Sequence, residues 1–367
     1  MNTEKIGFIE AIALIAIVMT NKIILNTPKV IISNTGSAAW IHALYISIIA
    51  ILFSWLIGVL FKNFQGKDLL DISEFLGGKA LKTFIGICFI IIFLIIPMLV
   101  VKNFSETLQI IYFKTSPTLY IVSFFIICST IANRYSLKVI TKANLIIVPV
   151  VFLSILIILI SSFKEATPER IFPILGYGAD KTFVSGLSNL FSFSSISYLL
   201  FLNPIISKCT EFKKISIISI TISGIYLFLS VTSILLSLPY TMQSGESFSL
   251  YLLTRNLQYG RFIQRMDAIF ILIWIISTIS YISIAIHFSI HIFRKLTNIS
   301  DTNSINYSIN IFVLALLLLP VSFSALSNLI GTIFEISCLV LIFGVSTFIL
   351  VFANIKKNYL DKKKGTV

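Results

Sequence analysis

Small polar residues interrupt two long apolar stretches of this chain, as Met19-Thr20-Asn21-Lys22 in the first and Ser192-Phe193-Ser194-Ser195-Ile196-Ser197 in the sixth. A bilayer offers no partners to backbone N–H and C=O groups, so a helix broken at that depth is tolerated only where it lines a cavity or a protein interior. Carbonyls and N–H groups freed there, with hydroxyls and an amide beside them, can bind a small molecule or an ion, and a new half-helix N-terminus favours an anion such as a carboxylate. Paired breaks in the two halves of a chain are the pattern of secondary-transporter sites. The candidate ligand-binding set is Met19, Thr20, Asn21, Phe191, Ser192, Phe193, Ser194, Ser195 and Ser197, with Trp274 from the eighth stretch. A single serine in a membrane helix more often serves close packing or bonds back to its own turn; four within six residues, matched by an interruption five stretches earlier, point to a site.

Intramembrane charge gives a second set. Glu10 and Glu335 lie within the first and tenth stretches, where an ionised carboxylate must face the bundle interior or be protonated. Lys102 and Glu106 are spaced to pair on one helix face, and Arg265 and Asp267 precede the apolar part of the eighth stretch. These six are candidates for ion or signal coupling. Competing structural readings are proximity of Glu10 to the inner interface and of Glu335 to the outer one, and snorkelling of Lys102. His287 and His291 stand four apart, a metal-ligand spacing, but no third ligand or general base accompanies them, so interfacial histidines are expected and no metal is assigned. No phosphate loop, nucleophile elbow or carboxylate pair stands out, so neither a cofactor nor an enzyme is expected.

The elements that must position these residues are membrane helices. With 57% hydrophobic and 12% charged residues and a mean hydropathy of +0.99, the 367-residue chain is too apolar for a soluble globular protein. Ten stretches are long enough to span, at about 6–32, 38–61, 82–112, 117–132, 143–161, 182–208, 213–240, 264–293, 307–324 and 329–353. They make one polytopic membrane domain over 1–367, divisible into halves at about 6–161 and 182–353. Odd stretches leaving the cytosol place 18 of the 28 Lys and Arg inside, so both termini are predicted cytoplasmic. The formal net charge of +13 is spread over juxtamembrane loops, which suits anionic lipid rather than nucleic acid. No cleaved signal peptide is expected, and the four cysteines form no CxxC pair.

Three connecting segments carry their own signals. GKDLLDISEFLGGK (66–79) reads as a short interfacial helix ended by Gly77-Gly78, and PILGYG (173–178) as a tight turn that positions the start of the sixth stretch. ESFSLYLLTRN (246–256) has helical spacing and lies either over an outer vestibule or along the surface.

The ordered series KIGFIEA (5–11), TNKIILNTP (20–28), AAW (38–40), GKDLLDISEFLGGK, PILGYG, NPII (203–206) and QRMDAIFILIW (264–274) resembles the integral-membrane B subunit of endospore nutrient germinant receptors. That family is the spore permease branch of the amino acid, polyamine and organocation transporter superfamily. The resemblance covers nearly the whole chain. It implies an all-α fold of ten transmembrane helices in two inverted five-helix repeats (LeuT/APC-like) with helices 1 and 6 broken, and a pocket among spans one, three, six, eight and ten. It also implies residence in the inner membrane of a spore, partnership with a larger A subunit and a lipoprotein C subunit, and sensing of an amino acid, sugar or nucleoside. The chain departs from the family pattern at Glu10, often Gln, and at Ser194-Ser195-Ile196, where many members have Gly-x-Glu.

Overall fold

The computed structural model describes residues 5–25, 27–238, 249–256, 266–299, 301–319 and 333–364. Its α-helices are α1 (Phe8–Leu25), α2 (Thr27–Thr35), α3 (Ala39–Leu60), α4 (Leu69–Ile111), α5 (Thr118–Ala132), α6 (Leu137–Ser162), α7 (Leu199–Leu202), α8 (Phe212–Ser237), α9 (Ser249–Asn256), α10 (Met266–Thr297), α11 (Thr302–Leu317) and α12 (Ser346–Lys364). Among the described residues there is no strand beyond one isolated bridge, and seven helical stretches are long and apolar enough to cross a membrane. Each of the ten expected stretches contains helix among its described residues, and the sixth leaves helical geometry at residues 203–208, short of its expected end. Large apolar residues such as Ile110, Ile146, Leu153 and Leu272 are turned outward, as a lipid-facing surface requires.

Helix α1 is the centre of the bundle. Every residue from Ala13 to Ile23 is buried, and the helix packs among α6, α8 and α10. The expected break at residues 19–22 is corrected here, because α1 runs without interruption through those residues and the change of helix falls between Leu25 and Thr27. The polar side chains account for this. Thr20 Oγ1 donates to the Ala16 carbonyl at 2.7 Å, and Asn21 Nδ2 donates to Ser277 Oγ at 3.2 Å and Thr278 Oγ1 at 3.1 Å on α10. The Thr20 hydroxyl and the Asn21 amide N–H groups are thus met without unwinding the backbone.

The sixth stretch is irregular, as its sequence suggests. A π-helical turn over Asp180–Val184 gives way to a 3₁₀ run over Ser185–Tyr198 and then to the single turn α7. A 3₁₀ run of that length is uncommon because its hydrogen bonds are poorly aligned, and such stretches mark functional or strained segments. The PILGYG turn docks its start: Tyr177 N–H donates to the Thr35 carbonyl at 3.4 Å, and Gly176, at φ +52°, brings its Cα so close to that carbonyl that a Cβ would lie 2.0 Å from it.

At one end of the bundle the chain before α1 pairs with the chain after α7. Ile6 N–H donates to Ile205 O at 3.0 Å and Ser207 N–H to Ile6 O at 2.9 Å, while Asn203 Nδ2 bridges Phe64 O at 2.8 Å and Lys67 O at 3.1 Å. The interfacial helix is present as the first turns of α4, started by a capping box between Asp68 and Asp71. It ends where Gly77 and Gly78 leave helical geometry, Gly78 at φ +72°, a value only glycine adopts cheaply. Helices α3 and α8 meet through small residues: a Cβ on Gly58 would lie 2.9 Å from Lys213 Cα, and Gly224 sits against Ser47. On the opposite side α9 packs its buried Leu250 and Leu253 against α8 and α10, while Phe248 lies outside the described residues.

Candidate functional site

The two polar clusters meet at Lys22. Its ammonium is buried at the last turns of α1, donates to the Phe191 carbonyl at 3.3 Å and to Ser194 Oγ, and stands 4.5 Å from the centre of the Phe191 ring. One long side chain thus joins the first span to the irregular part of the sixth, in geometry suited to a cation–π contact as well as two hydrogen bonds. Beside it is a small cavity of about 10 Å³, the room of a single water molecule, lined by Lys22, Ile92, Phe93, Ile96, Ser194, Ser195, Ser197, Tyr198 and Tyr281. Phe93 and Tyr198, both in its wall, stack on each other with centroids 4.5 Å apart. Ser195 Oγ and Asn21 Oδ1 are buried with no hydrogen-bond partner among the described residues.

The candidate ligand set divides on this geometry. Ser194, Ser195 and Ser197 line the cavity, and Phe191 meets Lys22 through both carbonyl and ring. Ser192 is half-buried next to them, and Phe193 is buried in the core. Thr20 and Met19 face the packed interior of α1, while Asn21 is held on α10. Trp274 is buried against Phe104, at 4.1 Å between centroids, and Phe270, away from the cavity walls.

The charged candidates are mostly dispersed. Glu10 accepts from Gly7 N–H at 2.7 Å and caps the start of α1. Lys102 pairs with Glu106 at 3.8 Å and donates to Leu317 O at 3.1 Å, closing the end of α11. Asp267 accepts from the Tyr112 hydroxyl at 2.8 Å, tying α10 to the end of α4. Arg265 lies outside the described residues. Glu335 is exposed and lies outside the cavity walls, within Coulombic reach of Lys22 and Cys338. His287 and His291 have separate partners, Asn133 Oδ1 at 3.2 Å and Asp68 Oδ2 at 3.4 Å.

A family model described as spore germination protein, the spore permease family, matches residues 5–325. The chain belongs to that family. A curated member, spore germination protein KB of Bacillus subtilis (strain 168), is 21% identical over 291 residues, which is 78% of this chain and 77% of that protein. Among solved structures the fold is similar to that of a Na⁺-coupled sialic acid symporter in a substrate-bound, outward-open state, with a TM-score of 0.64 and 12% identity over 94% of this chain and 78% of that one. This spore permease family member is therefore an all-α, multi-pass membrane protein of the LeuT-type transporter fold.

Several of its site residues carried no role in the sequence reading. Lys22 was visible as part of the first cluster, and a lysine mid-span is itself a signal; what the sequence could not show is where its ammonium lands. Tyr198 and Tyr281, which line the cavity, are not among the candidate residues of the sequence. Ser277 and Thr278 lay unremarked within the eighth span, although two adjacent hydroxyls there are a usable signal for a buried amide partner. A second polar relay lies within the first, second and sixth spans: Asn34 Nδ2 donates to Asn189 Oδ1 at 2.9 Å, Asn189 Nδ2 to His42 Nε2 at 3.1 Å, and His42 Nδ1 to the Thr182 carbonyl at 2.6 Å. That direction fixes the neutral histidine with its proton on Nδ1.

Near the bridge between Asn203 and Lys67, Asp68 is fully buried beneath α10. It accepts from Lys295 Nζ at 2.7 Å, His291 Nε2 at 3.4 Å and Asp71 N–H at 3.0 Å, and Lys295 also reaches Asp71 at 2.6 Å. Burial alone pushes the Asp68 carboxyl up, but the His291 hydrogen bond and the Lys295 charge together outweigh it and hold the group well below the usual carboxylate range.

Proposed function

We propose that this protein is the nutrient-sensing membrane subunit of a spore germinant receptor. It binds a small nutrient, an amino acid or a similar molecule, in the pocket between the first and sixth spans, and passes the resulting change to larger A and lipoprotein C partner subunits in the inner spore membrane. The observation that supports this most is the Lys22 bridge from α1 to Phe191 and Ser194, beside a cavity edged by Ser195, Ser197 and Tyr198. Family membership supplies the germination context, and the transporter-type fold supplies a pocket at the bundle centre whose two states a ligand can select. Both termini are cytoplasmic in this reading, the membrane unit consists of two inverted halves at about 6–161 and 182–353, and Glu335 is the acid best placed to couple an ion or a signal to the site.

The test is nutrient-triggered germination in spores carrying Ser194→Leu or Asn21→Leu. Ser194→Leu fills the space beside Lys22, and Asn21→Leu removes the α10 anchor of that turn. Both variants are expected in the membrane at normal abundance with the response abolished; normal dose dependence in both refutes the pocket assignment. A second reading, a secondary transporter, is favoured by likeness to a symporter. Counterflow of a labelled nutrient in vesicles holding this chain alone supports transport, and response only beside the partner subunits supports sensing.

A further inference from the structure

We propose that Lys22 anchors an anionic group of the ligand, so that the pocket takes carboxylate-bearing nutrients in preference to sugars or nucleosides. This rests on the binding reading above and names the class of molecule that site admits. The Lys22 ammonium is buried, yet its contacts are all neutral: one carbonyl at 3.3 Å, one hydroxyl and one aromatic face. Among the described residues no carboxylate lies within 4 Å of it, and the exposed Glu335 acts on it only at longer range. A buried charge is ordinarily held by a paired opposite charge, because neutral partners repay only part of its lost hydration. A carboxylate arriving at the ammonium supplies that missing charge and makes a charge-assisted hydrogen bond.

A second group points the same way. Ser195 Oγ, 2% exposed, lines the same cavity and has no partner among the described residues, so its proton is free to be donated to the same carboxylate. An ammonium and a hydroxyl donor converging on one small space suit an acceptor-only group. They do not suit the ammonium of an amine ligand, which Lys22 repels.

The experiment measures thermal stabilisation of the purified full chain in detergent by α-amino acids, by the primary amines left when those amino acids are decarboxylated, and by neutral hexoses and nucleosides. Carboxylate-bearing compounds are expected to stabilise the wild type and their amines to leave it unchanged. Lys22→Met is expected to raise the half-saturating concentration about tenfold or more, and Ser195→Ala about three- to tenfold with the unliganded melting point preserved. Lys22→Arg, which keeps the charge, is expected to retain part of the effect. If Lys22→Met does not fold, Ser195→Ala and Lys22→Arg decide. Stabilisation by sugars, nucleosides or amines that persists in these variants leaves the pocket standing and overturns the carboxylate assignment. Carboxylate stabilisation unchanged by all of the variants also overturns it, and stabilisation by no compound overturns both readings together.

Discussion

Changing Asp68 to Asn keeps the size and capping ability of the side chain and removes its charge. The asparagine oxygen still accepts from Asp71 N–H, since Asn is as good an N-cap as Asp, so the start of α4 is preserved. Lost are the charge-assisted bonds from Lys295 at 2.7 Å and His291 at 3.4 Å that hold α4 against the C-terminal end of α10. Removing one member of a fully buried pair costs about 3–5 kcal/mol. Here the cost is smaller, because Lys295 keeps Asp71 at 2.6 Å and its side chain is 23% exposed and can rehydrate. About 2–3 kcal/mol is the expected loss, with Asp68→Ala costing about 1 kcal/mol more through the cap.

Thermal melts of detergent-solubilised protein at neutral pH measure this, and a double-mutant cycle with Lys295→Met isolates the pair at about 1–2 kcal/mol. The pH dependence follows from the lowered carboxyl of Asp68. Its contribution is complete above the unfolded carboxylate value of about 3.9 and is lost as pH falls below that toward the folded value. The gap between wild type and Asp68→Asn should therefore be flat from pH 5 upward in this group's contribution and close in acid. An unchanged melting point for Asp68→Asn, or strict additivity in the cycle, refutes the assignment of this cluster as a tie between α4 and α10.

Two further substitutions test how the irregular sixth span is held. Asn203→Leu removes the bridge to Phe64 O and Lys67 O from a residue 1% exposed, and a loss of about 1–3 kcal/mol is expected in the same melts; no loss means those carbonyls find other donors. Gly186→Ala places a Cβ 2.7 Å from both His42 Cε1 and the Lys181 carbonyl, and overpacking should cost about 1–3 kcal/mol. Adding His42→Ala should fail to restore the melting point, because the Lys181 carbonyl still blocks the site; full rescue shows that the ring alone makes Gly186 necessary.

Signals tied to backbone chemistry were the legible part of this fold. Gly77-Gly78 ends the interfacial helix because a φ of +72° needs glycine, and PILGYG turns where it should. The serine-rich sixth span loses regular α-helical geometry over Ser185–Tyr198. Polarity in the first span misled, because Thr20 and Asn21 find partners at Ala16, Ser277 and Thr278 while α1 stays intact. Polar side chains in a span report a need for hydrogen bonds, and only tertiary partners settle whether the backbone must open to meet it. Trp274 shows the converse limit, since an aromatic in a pocket-forming span packs on Phe104 and Phe270 as readily as on a ligand. Lys22 escaped a role because its side chain acts several ångströms from its own helix, a reach that no periodicity encodes.

That reach has a mechanical consequence. The cavity beside Lys22 has room for about one water molecule, so no organic ligand occupies it unless Lys22, Phe93, Tyr198 or their neighbours move. The ammonium belongs to α1 and its acceptors to the sixth span, so a ligand that competes for Lys22 acts on the joint between those two spans. At one end of the bundle the same two spans are joined again, by Ile6 with Ile205 and Ser207. Under the sensing reading, loosening the first joint while the second stays fastened is expected to pivot α1 about Ile6, and loosening both to shift the helix as a body. Either motion reaches the end of the bundle where Asn203 and Asp68 hold residues 64–68, so a signal would leave through contacts that already exist.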